Sequence, residues 1–65
     1  MNDIEKLRHL LEHWAEHNSE HADTYAEWSK KAEALDKPEL AGILKEIAYE
    51  TMKINKLLEK AKGMA

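Results

Sequence analysis

Along the first half of the chain, Ile4, Leu7, Leu11, Trp14, Asn18, His21, Tyr25, Trp28, Ala32 and Leu35 recur at alternating spacings of three and four. That period matches the turn of an α-helix and predicts one continuous helical stripe. Asn18-Ser19 is its one soft spot, a place for a kink that no Gly or Pro reinforces. A second stripe follows in Leu40, Ile43, Leu44, Ile47, Thr51, Ile54, Leu58 and Ala61. Between them stands Leu35-Asp36-Lys37-Pro38-Glu39. Asp36 suits a helix N-cap, Pro38 a first turn, and Glu39 the acidic position of a capping box. Gly63, after Lys60 and Lys62, marks the expected end of the second helix. The pattern predicts helices over about 3–35 and 37–62, joined by a very short connection near residue 36 and therefore antiparallel. The fold class is all-α, a long helical hairpin forming a single domain over residues 1–65.

Helix lengths carry the prediction further. At 1.5 Å per residue the helices measure roughly 50 and 38 Å. The second then reaches back only to the level of Glu12, leaving Ile4, Leu7, Leu10 and Leu11 without a partner in the chain. Ala41, Ala48, Tyr49 and Met52 add a weaker apolar strip beside the main one. Two hairpins packed as a four-helix bundle would cover these surfaces, so a homodimer is expected, twofold dimers being the commonest closed oligomer.

Size sharpens that expectation. A chain of 65 residues seldom holds itself together with one core and usually carries a disulfide, a metal or a partner. It has no cysteine, which removes disulfides and thiolate sites. Of its residues 43% are hydrophobic and 35% charged, and the net charge is −3 with bases and acids interleaved. A nucleic-acid binder normally shows a one-signed basic face, so that partner is disfavoured. The apolar runs are too short for a membrane span or a signal peptide, and a cytoplasmic location is the expectation.

The feature with chemistry in it is a row of histidines, His9, His13, His17 and His21, one every four residues. Residues 9 to 21 read as three overlapping copies of H-x-x-E-H. Histidines four apart on a helix are neighbours, about 5–6 Å apart at Cβ, and two imidazoles can grip one transition-metal ion. Each four-residue step also rotates about 40° around the helix. His9 therefore points almost away from the stripe, His13 faces solvent, His17 lies at the edge, and His21 lies within the stripe between Trp14 and Trp28. One ion cannot collect all four. His17 with His21 is the leading pair, with Glu20 as the local carboxylate, and His13 with His17 is the second. A symmetry mate or a glutamate would complete either half-site with nickel, zinc or cobalt as the ion.

Other readings compete. The same histidines pair with acids at helical spacing, as Glu5–His9, His9–Glu12, His13–Glu16 and His17–Glu20, and would relieve the like-charged row Glu12, Glu16 and Glu20. That also makes the segment a potential pH-responsive element, because histidine titrates near neutrality. H-x-x-E-H is the inverzincin protease signature, but threefold repetition fits a helical repeat better than one dedicated site. The Glu-x-x-His motif of ferritin-like di-metal bundles is absent, since Lys6, Leu10, Trp14 and Asn18 stand three before the histidines. No nucleophile elbow or phosphate loop is present, and the chain is too small to close a substrate pocket. Met52 and Met64 are read as filler and not haem ligands, and Trp14, Tyr25 and Trp28 as core aromatics whose polar edges could meet His21.

The run His13-Trp14-Ala15-Glu16-His17-Asn18-Ser19-Glu20-His21-Ala22, followed by Tyr25 and Trp28, resembles a family of uncharacterised prokaryotic helical hairpins rich in histidine. The resemblance covers most of the chain, with HW-x-EHN-x-EHA its specific part. It implies a hairpin and an association with metal, and supplies no activity. The combined expectation is a non-catalytic, dimeric, transition-metal-binding module with His13, His17, His21 and Glu20 as ligands. A purely structural interaction or oligomerisation domain without metal is the alternative.

Overall fold

The computed structural model describes residues 2–65. It contains two helices, α1 (Asp3–Ala34) and α2 (Pro38–Met64), packed side by side as an antiparallel hairpin. The molecule is a rod of 51 × 15 × 11 Å. α1 runs unbroken through Asn18-Ser19. At its start the Asn2 side chain accepts from the Glu5 N–H at 2.8 Å, satisfying one of the free amides of the first turn.

The turn departs from expectation. Asp36 does not cap α2. It sits in the left-handed region at φ 62° and closes α1 instead. Its N–H reaches the Glu33 carbonyl and the Lys37 N–H reaches the Ala32 carbonyl, both at 3.0 Å. This is the Schellman pairing, which satisfies carbonyls that the helix end leaves free. Lys37 is then the residue that caps α2, with no side-chain hydrogen bond, and Pro38 opens the helix where its missing N–H costs nothing. At the other end Gly63 does not stop α2, which continues through Met64. The extra residues extend the overlap: Arg8 Nη2 donates to the Ala65 carbonyl at 2.7 Å. α2 therefore reaches the level of Arg8, beyond Glu12, and Leu11 is buried at 7% exposure.

All but one of the buried positions in the seam between the helices are small residues. From α1 it takes Leu11, Ala15, Asn18, Ala22, Tyr25, Ser29 and Ala32; from α2 it takes Ala41, Leu44, Ala48, Thr51, Asn55 and Leu58. Each set repeats every seven residues, the period of two helices wound about each other. Ala and Ser let the backbones approach, and side chains then hydrogen-bond straight across to the opposite main chain. Ser29 Oγ donates to the Ala41 carbonyl and Asn18 Nδ2 to the Thr51 carbonyl, each at 2.7 Å. These bonds fix the register, because a slide of either helix would break both.

The predicted stripes are therefore rotated from the seam by about half their width. Leu11, Asn18, Tyr25 and Ala32 lie in it, but Leu7, Trp14, His21, Trp28 and Leu35 stand outside. Ala41 and Ala48, assigned to a side strip, are among the most buried residues of α2. The expected core aromatics divide in the same way. Tyr25 is half-buried, whereas Trp14 and Trp28 are 45% and 50% exposed, since a closely spaced pair of helices has no room for indoles.

Candidate metal centre and the apolar face

All four histidines project from exposed positions of α1. The regular helix delivers them in a rising spiral, and three of the rings adjoin. His13 and His17 have ring centroids 4.4 Å apart, and His17 and His21 are separated by 6.5 Å. His21 then stacks on Tyr25, at 6.1 Å with the planes 19° apart. Tyr25, half-buried, thus meets His21 through its ring and not through the polar edge expected of it. His9 stands outside this chain of ring contacts.

The structure brings the predicted ligands together as neighbouring pairs along one helix. Glu20 shares their exposed surface. Among the described residues no three His, Asp or Glu side chains converge in the way a metal ion requires. One chain offers adjoining imidazoles only in pairs, His13 with His17 and His17 with His21, whereas structural zinc sites take four ligands and catalytic ones three protein ligands.

His21 does not stand on a polar surface. It belongs to a line of residues seven apart, Leu7, Trp14, His21, Trp28 and Leu35, that flanks the seam on one side. In an antiparallel pair the matching flank of α2 carries Leu40, Ile47, Ile54 and Ala61, again seven apart. The groove at the open end shows the two flanks sharing one face: it is lined by Ile4, Leu7, Leu11, Ala61, Met64 and Ala65. The opposite groove is polar, lined by Ala26, Ser29, Lys30, Glu33 and Lys45. Leu7, Trp14, Trp28, Leu35, Leu40, Ile47 and Ile54 are all exposed, between 40% and 69%. Lys31 covers part of Trp28, its Nζ 4.3 Å from the ring centroid while also 3.2 Å from Glu27. Sequence periodicity found these residues but placed them inside the hairpin. The signal for their true position was the seven-residue recurrence of Ala15, Ala22 and Ser29 with Ala41 and Ala48, which claims the seam for small side chains.

Fold and site together define a class, that of small two-helix hairpins with a histidine row beside an open apolar face. Residues 7–65 match the family described as Domain of unknown function (DUF8180), and the chain belongs to that family. It is similar to an uncharacterized protein of Archaeoglobus fulgidus, with 43% identity over 61 residues that cover 94% of this chain and 97% of that protein. No solved structure matches. Among the described residues no helix is long and apolar enough to cross a membrane.

Proposed function

We propose that this protein is a non-catalytic, homodimeric helical module that binds a transition-metal ion through its histidine row. His17 and His21 form the principal pair, His13 the adjoining ligand, and Glu20 the carboxylate at hand. The observation that carries the reading is the run of adjoining imidazoles, His13 to His17 to His21, entering the edge of an uncovered apolar face. Imidazole suits nickel, zinc and cobalt alike. Two imidazoles from one chain make half a site, and the face beside them is where a second chain would bring the rest. An ion held in this way binds the assembled pair better than the separate chains, so metal would stabilise the dimer by mass action. It would also require neutral imidazoles, so uptake would weaken on acidification.

The test is calorimetric titration of tag-free, chelator-treated protein with Ni²⁺, Zn²⁺ and Co²⁺ near neutral pH. Saturable binding tighter than about micromolar, equivalent to roughly 8 kcal/mol, with a fixed metal-to-chain ratio is expected. Weak uptake that never saturates would remove the metal from the reading. An interaction module without metal would then stand, a reading favoured by the exposed apolar face itself.

A further inference from the structure

The apolar face has an order along its length. From Leu7 to Leu35 the α1 flank reads Leu, Trp, His, Trp, Leu, the same in both directions, with His21 at its midpoint. The α2 flank can be placed on the same scale. The cross-helix bonds join Ser29 to Ala41 and Asn18 to Thr51, pairs whose numbers add to about 70. Ile47 therefore lies near the level of Asp23 and Ile54 near that of Glu16, with Leu40 and Ala61 farther out on either side. The midpoint of this second line falls near residues 19 and 20 of α1. Both lines are thus centred at one level of the rod, within about two residues.

The exposed surface of the chain as a whole suits a partner of the same size. A compact protein of 7.5 kDa exposes roughly 4,200 Å² by surface scaling, whereas this chain exposes 5232 Å². The excess of about 1,000 Å² is close to the ~800 Å² that each partner contributes to a standard interface.

We infer that the face is covered by a second copy of this chain, related by a twofold axis perpendicular to the helices and crossing α1 close to His21. That operation turns the second copy end for end. It lays α1 on α1 and α2 on α2, each pair antiparallel. Leu7 meets Leu35 of the second copy, Trp14 meets Trp28, and Ile47 meets Ile54. A line of side chains that is symmetric in size about its centre then gives layers of even thickness along the whole bundle. An axis parallel to the helices would set α1 on α2 of the second copy, and under it the symmetric order would serve nothing. The perpendicular axis also sets His21 of both copies beside the axis, with each His17 about 6 Å farther along the rod at 1.5 Å per residue, so that the two half-sites adjoin. The arrangement rests on the dimer of the proposed function and is independent of whether metal binds.

Distance between the two turns decides it. The chain has no cysteine, and Lys37 is exposed in the turn at one end of the rod, so Lys37→Cys takes one spin label per chain. With the axis near residue 20, the turns lie at opposite ends of the bundle, about 48 Å apart at 1.5 Å per residue. Pulsed electron-electron resonance on the metal-free protein should return a single distance of about 45–55 Å. A distance under about 25 Å would place both turns at the same end and overturn the perpendicular axis while leaving the dimer intact. Sedimentation of unlabelled protein as a monomer at tens of micromolar would overturn the arrangement and the dimer together. Neither result depends on the metal titration, so failure of the site and failure of the arrangement are read separately.

Discussion

At the scale of single residues, the histidines differ in what surrounds them. His21 is braced by Tyr25 and shares the apolar flank with the indoles, His17 adjoins both His13 and His21, and His9 has no ring neighbour among them. A ligand held by its surroundings loses less freedom on binding than one that swings in solvent. If His17 and His21 are the principal pair, His17→Ala and His21→Ala should each weaken metal binding at least tenfold, about 1.4 kcal/mol. His9→Ala should stay within about twofold. Calorimetry on the three variants checks this, and equal losses at all three positions would show the row acting as an unselective cluster of imidazoles. The candidate residues were readable from spacing alone, because a four-residue step fixes neighbourhood on any helix. Their surroundings were not. The side of the helix that faces its partner depends on how closely the helices approach, which hydrophobicity does not encode.

The elements show the same division between what local sequence determines and what packing decides. The hairpin was legible because Pro38 and the charged turn interrupt two long helical periods. The mode of closure was not, since an Asp before Lys-Pro reads as an N-cap and only the backbone reveals the left-handed angle at Asp36. That angle costs a residue with a side chain about 1 kcal/mol relative to glycine, somewhat less for Asp than for most. Asp36→Gly should therefore stabilise the hairpin by about 0.5–1 kcal/mol and Asp36→Val should destabilise it, as urea melts would register. The seam was misplaced for a physical reason. Periodicity weights the largest apolar side chains, whereas the most buried positions of this seam, Ala15, Ala22, Ala32 and Ala41, hold small ones. Ala22 is 3% exposed in the middle of that seam. Ala22→Leu changes helix propensity little, yet it must force the helices apart and strain the Ser29–Ala41 and Asn18–Thr51 bonds. A loss of about 1–3 kcal/mol is expected from overpacking of this kind. An unchanged or raised melting point would mean that the small-residue seam does not set the spacing.

For the whole molecule, the difficulty is that a two-helix rod whose buried positions are mostly alanines buries little, while Leu7, Trp14, Trp28, Leu35, Leu40, Ile47 and Ile54 lie exposed on one side of it. The expectation of a partner arose in the sequence from the small size of the chain, from helix lengths and from the apolar positions beside the main stripes. The overhang of α1 is shorter than those lengths implied, because α2 runs back to the level of Arg8 and Leu11 is buried, while Ile4, Leu7 and Leu10 stay exposed. The argument for a partner now comes from the open face, which the large side chains occupy because the seam excludes them. A matched pair of substitutions separates a working face from ordinary exposed apolar residues. Ile47 and Met52 are exposed to nearly the same degree, 40% and 43%, in the same helix, but Ile47 belongs to the apolar flank and Met52 to the other side of the seam. In a monomer, an aspartate at either position would be a surface change, within about 0.5 kcal/mol and equal for both. In the dimer, Ile47→Asp places a charge between two packed hairpins, where an unpaired charge is strongly disfavoured. Ile47→Asp should then sediment as a monomer with reduced helicity and a lower melting temperature. Met52→Asp should keep the wild-type mass and a melting temperature that rises with protein concentration, as mass action requires of a stability shared between chains. The same loss in both variants would mean that the open face has no occupant, and that the seam of small residues holds the hairpin without help.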